Sequence, residues 1–126
     1  EAPEKVVKQL VLDMTEAVYP EKPLVPFIKV TQDRVVLEIM RGCIRGCRFC
    51  QAGQLYRPVR ERDVEVLKKY AMEMLRNTGH EEISLSSLSS SDYSKLPELL
   101  AAFPNKYQIK RYEGKGGATI IAYKCL

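Results

Sequence analysis

The stretch RVVLEIM at Arg34–Met40 runs directly into RGCIRGCRFC at Arg41–Cys50. The first half is rich in Val, Ile and Leu and is bounded by turn or loop residues, which predicts a buried parallel strand. A second apolar run, EISLSSL at Glu82–Leu88, predicts another strand with Ile83, Leu85 and Leu88 buried. Between them, Asp63 is placed to cap a helix reaching about Asn77, with Val64, Leu67, Ala71, Met74 and Leu75 on one face. Gly79 is a natural stop for that helix. Strand, loop, helix, strand makes one βαβ unit, whose crossover is expected to be right-handed. The fold class is therefore α/β. The cysteine-bearing loop leaves the C-terminal end of the first strand, where open and barrel α/β folds place their active sites.

That loop is the chemical signal. Cys43, Cys47 and Cys50 fall within eight residues as CxxxCxxC. Three thiolates so close can hold one metal centre from three sides and leave the fourth side open for chemistry, whereas structural sites use four ligands. Gly42 and Gly46 precede the first two cysteines and suit backbone turns that a Cβ would obstruct, and Gly53 lets the chain leave the loop. A zinc site would call for a second Cys/His pair some distance away. The remaining candidates, Cys125 near the C-terminus and the single histidine His80, do not form one. The spacing differs from the C-x2-C-x2-C run of bacterial ferredoxins. Bunched cysteines with one left over argue against a disulfide framework. Arg41, Arg45 and Arg48 argue against an apolar structural loop.

Composition bounds the rest. The chain has 126 residues, which allows at most one domain, and it is 45% hydrophobic and 29% charged. No apolar run approaches the length of a membrane span and no basic-then-apolar leader opens the chain, so no membrane association and a reducing cytoplasm are expected. Net charge is +4, but the window from Arg34 to Arg62 holds seven arginines (34, 41, 45, 48, 57, 60 and 62) against Glu38 and Glu61. Arginine without lysine offers planar donors for carboxylate or phosphate, for an acidic partner protein or for nucleic acid, while Arg57, Arg60 and Arg62 also read as a solvated basic face. With one histidine, no Ser/His/Asp set exists, which disfavours hydrolytic and phosphoryl-transfer chemistry.

The flanks are organised differently. Val6, Val7, Leu10, Val11, Met14 and Val18 predict an amphipathic helix over 4–18. Pro20, Pro23 and Pro26 then impose an extended linker, and 27–30 reads as a short edge strand. The chain divides into 1–30, an N-terminal helix and proline-rich linker; 31–103, the core; and 104–126, an unassigned tail. A helix is expected over Leu96–Phe103 with Pro97 in its first turn. In the tail, Gly114, Gly116 and Gly117 precede a strand-like Ala118–Tyr123, and the glycine run lacks phosphate-loop spacing.

The three cysteines, with Phe49 just before the last, resemble the signature of the radical S-adenosylmethionine (radical SAM) superfamily. The wider stretch Leu37–Gly53, the segment Tyr56–Arg60 and the Ser-rich run Leu85–Tyr93 resemble its cobalamin-binding type, over roughly residues 16–100. The resemblance implies a fold that is a fragment of a partial (βα)6 TIM-like barrel, with parallel strands and crossover helices. It implies that Cys43, Cys47 and Cys50 each bind one iron of a 4Fe–4S cluster, with S-adenosyl-L-methionine chelated to the fourth iron. One electron would cleave that cofactor to methionine and a 5′-deoxyadenosyl radical, on an unknown substrate. Phe49 is expected near the adenine. The family commonly binds the amino group with a Gly-Gly-Glu-like segment at the end of the second strand; here Ser86, Ser87 and Ser89 stand in that place, where they also suit a helix-capping turn. Further implied partners are a reducing donor such as flavodoxin or ferredoxin, and cobalamin only through a domain outside this chain. Tyr56 and Tyr93 are candidates to line the pocket, and Gln51 and Gln54 to hydrogen-bond near the cluster. The alternative reading is a non-catalytic zinc or electron-transfer iron–sulfur module with an Arg-rich docking face.

Overall fold

A computed structural model describes residues 2–103 in full and the backbone of 107–113 and 119–125. The core is the expected βαβ unit. Strand β1 (Val35–Glu38) runs parallel to a later strand, Glu82–Ser86, pairing Val35 with Ile83 and Leu37 with Leu85. At Ile39 the chain changes sheets. The Ile39 N–H still donates to Ser86 O at 3.1 Å, while its carbonyl accepts from Arg62 N at 2.9 Å. Strand β2 (Met40–Arg41) therefore pairs antiparallel with β3 (Arg60–Glu61), closing a two-stranded ribbon around the cysteine loop. Inside that loop lies α1 (Ala52–Leu55), a single turn.

Helix α2 (Val64–Thr78) starts where its cap places it: the Asp63 side chain accepts from Glu65 N. It ends at Gly79, whose φ of 73° lies in the left-handed region that suits glycine. Val64, Leu67, Ala71 and Met74 are buried against Val35, Leu37, Ile83 and Leu85, a core that also takes in Tyr93, Leu99 and Phe103. Strand β4 (Glu82–Ser86) stops short of Leu88, which is exposed because the chain turns away into a 3-10 turn at Ser90–Asp92. Helix α3 (Leu96–Ala102) carries Pro97 in its first turn and buries Leu99.

The larger sheet is mixed. Strands β5 (Tyr107–Glu113) and β6 (Thr119–Cys125) form an antiparallel hairpin, and β6 pairs antiparallel with β4, giving the order β1-β4-β6-β5. The all-parallel arrangement expected of a barrel piece thus holds for β1 and β4 and gives way to antiparallel pairing beyond them. The glycine run at 114–118 lies outside the described residues.

The helix expected over 4–18 does not form, nor does the strand at 27–30. Val6, Val7 and Val18 are exposed. The carbonyls a helix would use internally are taken by distant arginines instead: Val11 O by Arg60 Nη1 at 3.2 Å, Ala17 O by Arg62 Nη1 at 3.3 Å, and Met14 O by Arg62 Nη1 as well. Thr15 N donates to Asp13 Oδ1. A segment of that length is marginal as a helix unless one face is packed, and β-branched valines lower its propensity. Among the described residues no helix is long and apolar enough to cross a membrane.

Candidate functional site

Gly42 opens the cysteine loop with φ +92°, and a Cβ there would stand 2.8 Å from both Pro58 O and Tyr56 O. Both the backbone conformation and the close approach of the returning chain therefore require glycine. Gly46 carries no such constraint, since a Cβ would meet nothing within 4 Å; the expectation of an obstructed turn there is not met. At Gly53 a Cβ would approach Arg45 O at 3.3 Å, a tight fit. Cys50 N donates to Cys47 O at 3.1 Å, folding the second half of the loop into a turn.

All three thiols are free, with Cys43 buried, Cys50 half-buried and Cys47 exposed. Arg45 N–H points at Cys43 Sγ from 3.4 Å, a donor suited to a sulfur that carries negative charge. Among the described residues no three His, Cys, Asp or Glu side chains converge on a point where one metal ion could sit. A single zinc needs its ligands about 2.3 Å from one centre. A cubane takes each thiolate on a different iron, so the loop need only present three thiols on one side. The donor set fits that group in its chemistry: three unpaired cysteines on one exposed loop, with an N–H donor already aimed at one sulfur.

Beside the loop, at the C-terminal ends of β1 and β4, lies a cavity of about 540 Å³. Glu38, Met40, Arg41 and Gly42 form one wall, and Ser86, Ser87 and Leu88 the other. Tyr56, Arg60, Lys8 and Gln9 complete it. Glu38 accepts from Arg41 Nε at 2.8 Å and Arg62 Nη2 at 3.4 Å. Burial works against its charge, but these two guanidiniums outweigh it and hold the carboxyl below its usual range. Lys8 Nζ donates to Arg57 O at 2.8 Å and to Leu55 O, drawing the N-terminal segment over the mouth.

Of the sequence-predicted residues, Ser86 and Ser87 reach this cavity and Ser89 does not. Ser89 is buried and its hydroxyl donates to Asp92 Oδ2 at 2.7 Å. Ser87 and Ser90 hydroxyls share a bond of 2.9 Å. Phe49, expected near an adenine, is 92% exposed. Tyr56 lines the cavity, whereas Tyr93 is in the core with its hydroxyl donating to Arg62 O at 2.8 Å; burial pushes its pKa up to about 12. Gln51 and Gln54 are exposed.

The basic face needs correction. Arg62 is 1% exposed, stacked over Tyr19 at 4.8 Å and over Tyr70 at 5.9 Å, and so is no part of a docking surface. Its neighbour Arg60 is tied to the backbone carbonyls of Pro58, Val11 and Tyr56. Sequence reasoning missed Lys8, Gln9 and the pairing of Arg45 with Asp92, 2.7 Å apart, because contacts across 47 residues leave no local pattern.

A family model described as the Radical SAM superfamily matches residues 37–121. An uncharacterized protein of Methanocaldococcus jannaschii is 33% identical over 101 residues, a match covering 73% of this chain and 23% of the relative. The chain thus spans about a quarter of the length of the curated relative it matches. No solved structure matches it.

Proposed function

This chain belongs to the radical SAM superfamily, and from that premise we propose that it is the cluster-binding part of a radical SAM enzyme of the cobalamin-binding type. Cys43, Cys47 and Cys50 would hold a 4Fe–4S cluster, with S-adenosyl-L-methionine as the co-substrate bound beside it. The chemistry such a cluster would supply when bound is one-electron reductive cleavage of the carbon–sulfur bond of S-adenosyl-L-methionine. The observation that carries this reading is the placement of the CxxxCxxC loop inside the matched segment, at the C-terminal end of β1 and next to a cavity walled by Ser86 and Ser87.

The chain's own residues then have definite tasks. Gly42 lets the loop turn tightly against 56–59. Arg45 N–H donates to the Cys43 sulfur and orients it. Ser86 and Ser87 offer hydroxyls and carbonyls to the amino group of the cofactor, and Arg41, beside Glu38, offers a cation for its carboxylate. Phe49, exposed on the loop, offers a ring face to the adenine. Electrons come from a small reducing protein of the flavodoxin or ferredoxin kind, steered to the arginine-rich loop. A zinc module with an arginine docking face has less support, since Arg62 is buried and, among the described residues, no three candidate ligands converge on one point.

The test is anaerobic reconstitution with iron and sulfide, reduction, and electron paramagnetic resonance with and without S-adenosyl-L-methionine. A 4Fe–4S signal that changes with the nucleotide is expected. Retained zinc and no cluster would overturn the proposal.

A further inference from the structure

Arg45 sits between Cys43 and Cys47, and both its backbone and its side chain are engaged. Its N–H donates to Cys43 Sγ at 3.4 Å. Its guanidinium crosses to the segment after β4, where Nε donates to Asp92 Oδ2 at 2.8 Å and Nη2 to Oδ1 at 2.7 Å. This is the planar two-bond fork that lysine cannot make. The acid is the fixed half of the pair. Asp92 takes a further bond from Ser89 Oγ at 2.7 Å, and its own N–H donates to Ser89 O at 3.0 Å. Its side chain is 12% exposed, against 59% for Arg45. The hydrogen bond from Arg45, and then that from Ser89, holds the Asp92 carboxyl below its ordinary range.

A pair this exposed on one side adds little to global stability. Its placement gives it a different consequence. It ties the loop that carries the thiols to the serine segment that walls the neighbouring cavity. It also orients the residue whose N–H faces the buried sulfur. We propose that Arg45, latched by Asp92 and Ser89, is a positioning residue that preorganises the cysteine loop before any cluster is loaded. Tightening this latch fixes the Cys43 sulfur beside its N–H donor and sets the distance between the thiols and Ser86 and Ser87. The proposal rests on the reading that these cysteines bind a cluster, but its first test does not depend on that reading.

The test compares the full chain with Arg45→Gln, Asp92→Asn, Arg45→Lys and the exchange Arg45→Asp with Asp92→Arg. In the reduced, cluster-free chain, the rate of Cys43 alkylation by iodoacetamide is read by mass spectrometry, with far-ultraviolet circular dichroism confirming the fold. The Gln and Asn variants should each speed Cys43 alkylation by roughly fivefold, the scale on which one charge-assisted fork resists local opening. The exchange should return the rate to near that of the parent, and Arg45→Lys should fall between. Equal rates in the single variants, or an exchange as labile as they are, would overturn the latch. In the reconstituted chain, the single variants should alter the paramagnetic signal and the exchange should restore it, which loss of general stability would not produce. If the parent takes up no cluster while the alkylation pattern holds, the latch stands and the cluster reading falls.

Discussion

The N-terminal segment and the β1–α2–β4 unit are both apolar at helix-like or strand-like spacing, yet they end in opposite environments. Leu37, Leu67 and Ile83 are fully buried, whereas Val18 and Leu24 are each 97% exposed. The difference is partnership. In the core unit each apolar face meets another: the helix stripe meets the strand faces, and parallel pairing satisfies the backbone. Of the N-terminal stripe Met14 is buried, but the segment is otherwise held by polar contacts: its Val11 and Ala17 carbonyls accept from Arg60 and Arg62, and its own Lys8 and Tyr19 donate to the carbonyls of Arg57 and Val36. Periodicity thus produces a helix only where a second surface removes the stripe from water.

The largest break in that comparison is expected from Leu67→Ala, which should cost about 2–5 kcal/mol by leaving a cavity under α2; urea unfolding measures it. Next comes Arg62→Met. It removes a buried cation that holds Met14 O, Ala17 O and Glu38, so about 2–3 kcal/mol should be lost. The loss should be uneven, with limited proteolysis quickening over 5–20 while α2 amides stay protected from hydrogen exchange. Equal loosening of both regions would refute the division. Gly42→Ala should cost about 1–3 kcal/mol, through a disfavoured φ and a clash with Pro58 O and Tyr56 O, and thermal unfolding would register it. At the small end, Leu24→Ala should change stability by less than about 0.5 kcal/mol.

Acid sharpens the comparison. The Asp92 carboxyl is depressed in the folded chain by Arg45 and Ser89, so the stability it contributes is present above its unfolded pKa of about 3.9 and is lost as pH falls through the lower folded value. Stability curves of the parent and Asp92→Asn should coincide in shape above about pH 5 and diverge below about pH 4, the parent falling more steeply. Parallel curves down to pH 2 would show that the pair contributes nothing measurable to global stability.

Much of the candidate site was legible because it is local. CxxxCxxC, the Asp63 cap, the Gly79 stop and the burial of Ile83 and Leu85 all follow from residues a few positions apart. Ser86 and Ser87 were singled out from the family resemblance, which puts cofactor contacts at the end of the second strand, and both line the cavity with Gly42. Ser89 lies outside that cavity because a hydroxyl three residues from an acid can turn inward to it, and spacing does not say which way it turns.

The sequence by itself determined the βαβ unit and the thiol set, since these depend on short-range pattern: strand composition, helix periodicity, capping, and three cysteines on one loop. Only the tertiary structure decided the fate of the charged residues. Seven arginines in one window are alike as text, yet Arg62 is buried against the stacked pair Tyr19 and Tyr70, Arg45 is latched to Asp92, and Arg60 holds the N-terminal segment by the Val11 carbonyl. A guanidinium has five donors on a long, flexible stem, and which acceptors it reaches is set by segments dozens of residues away.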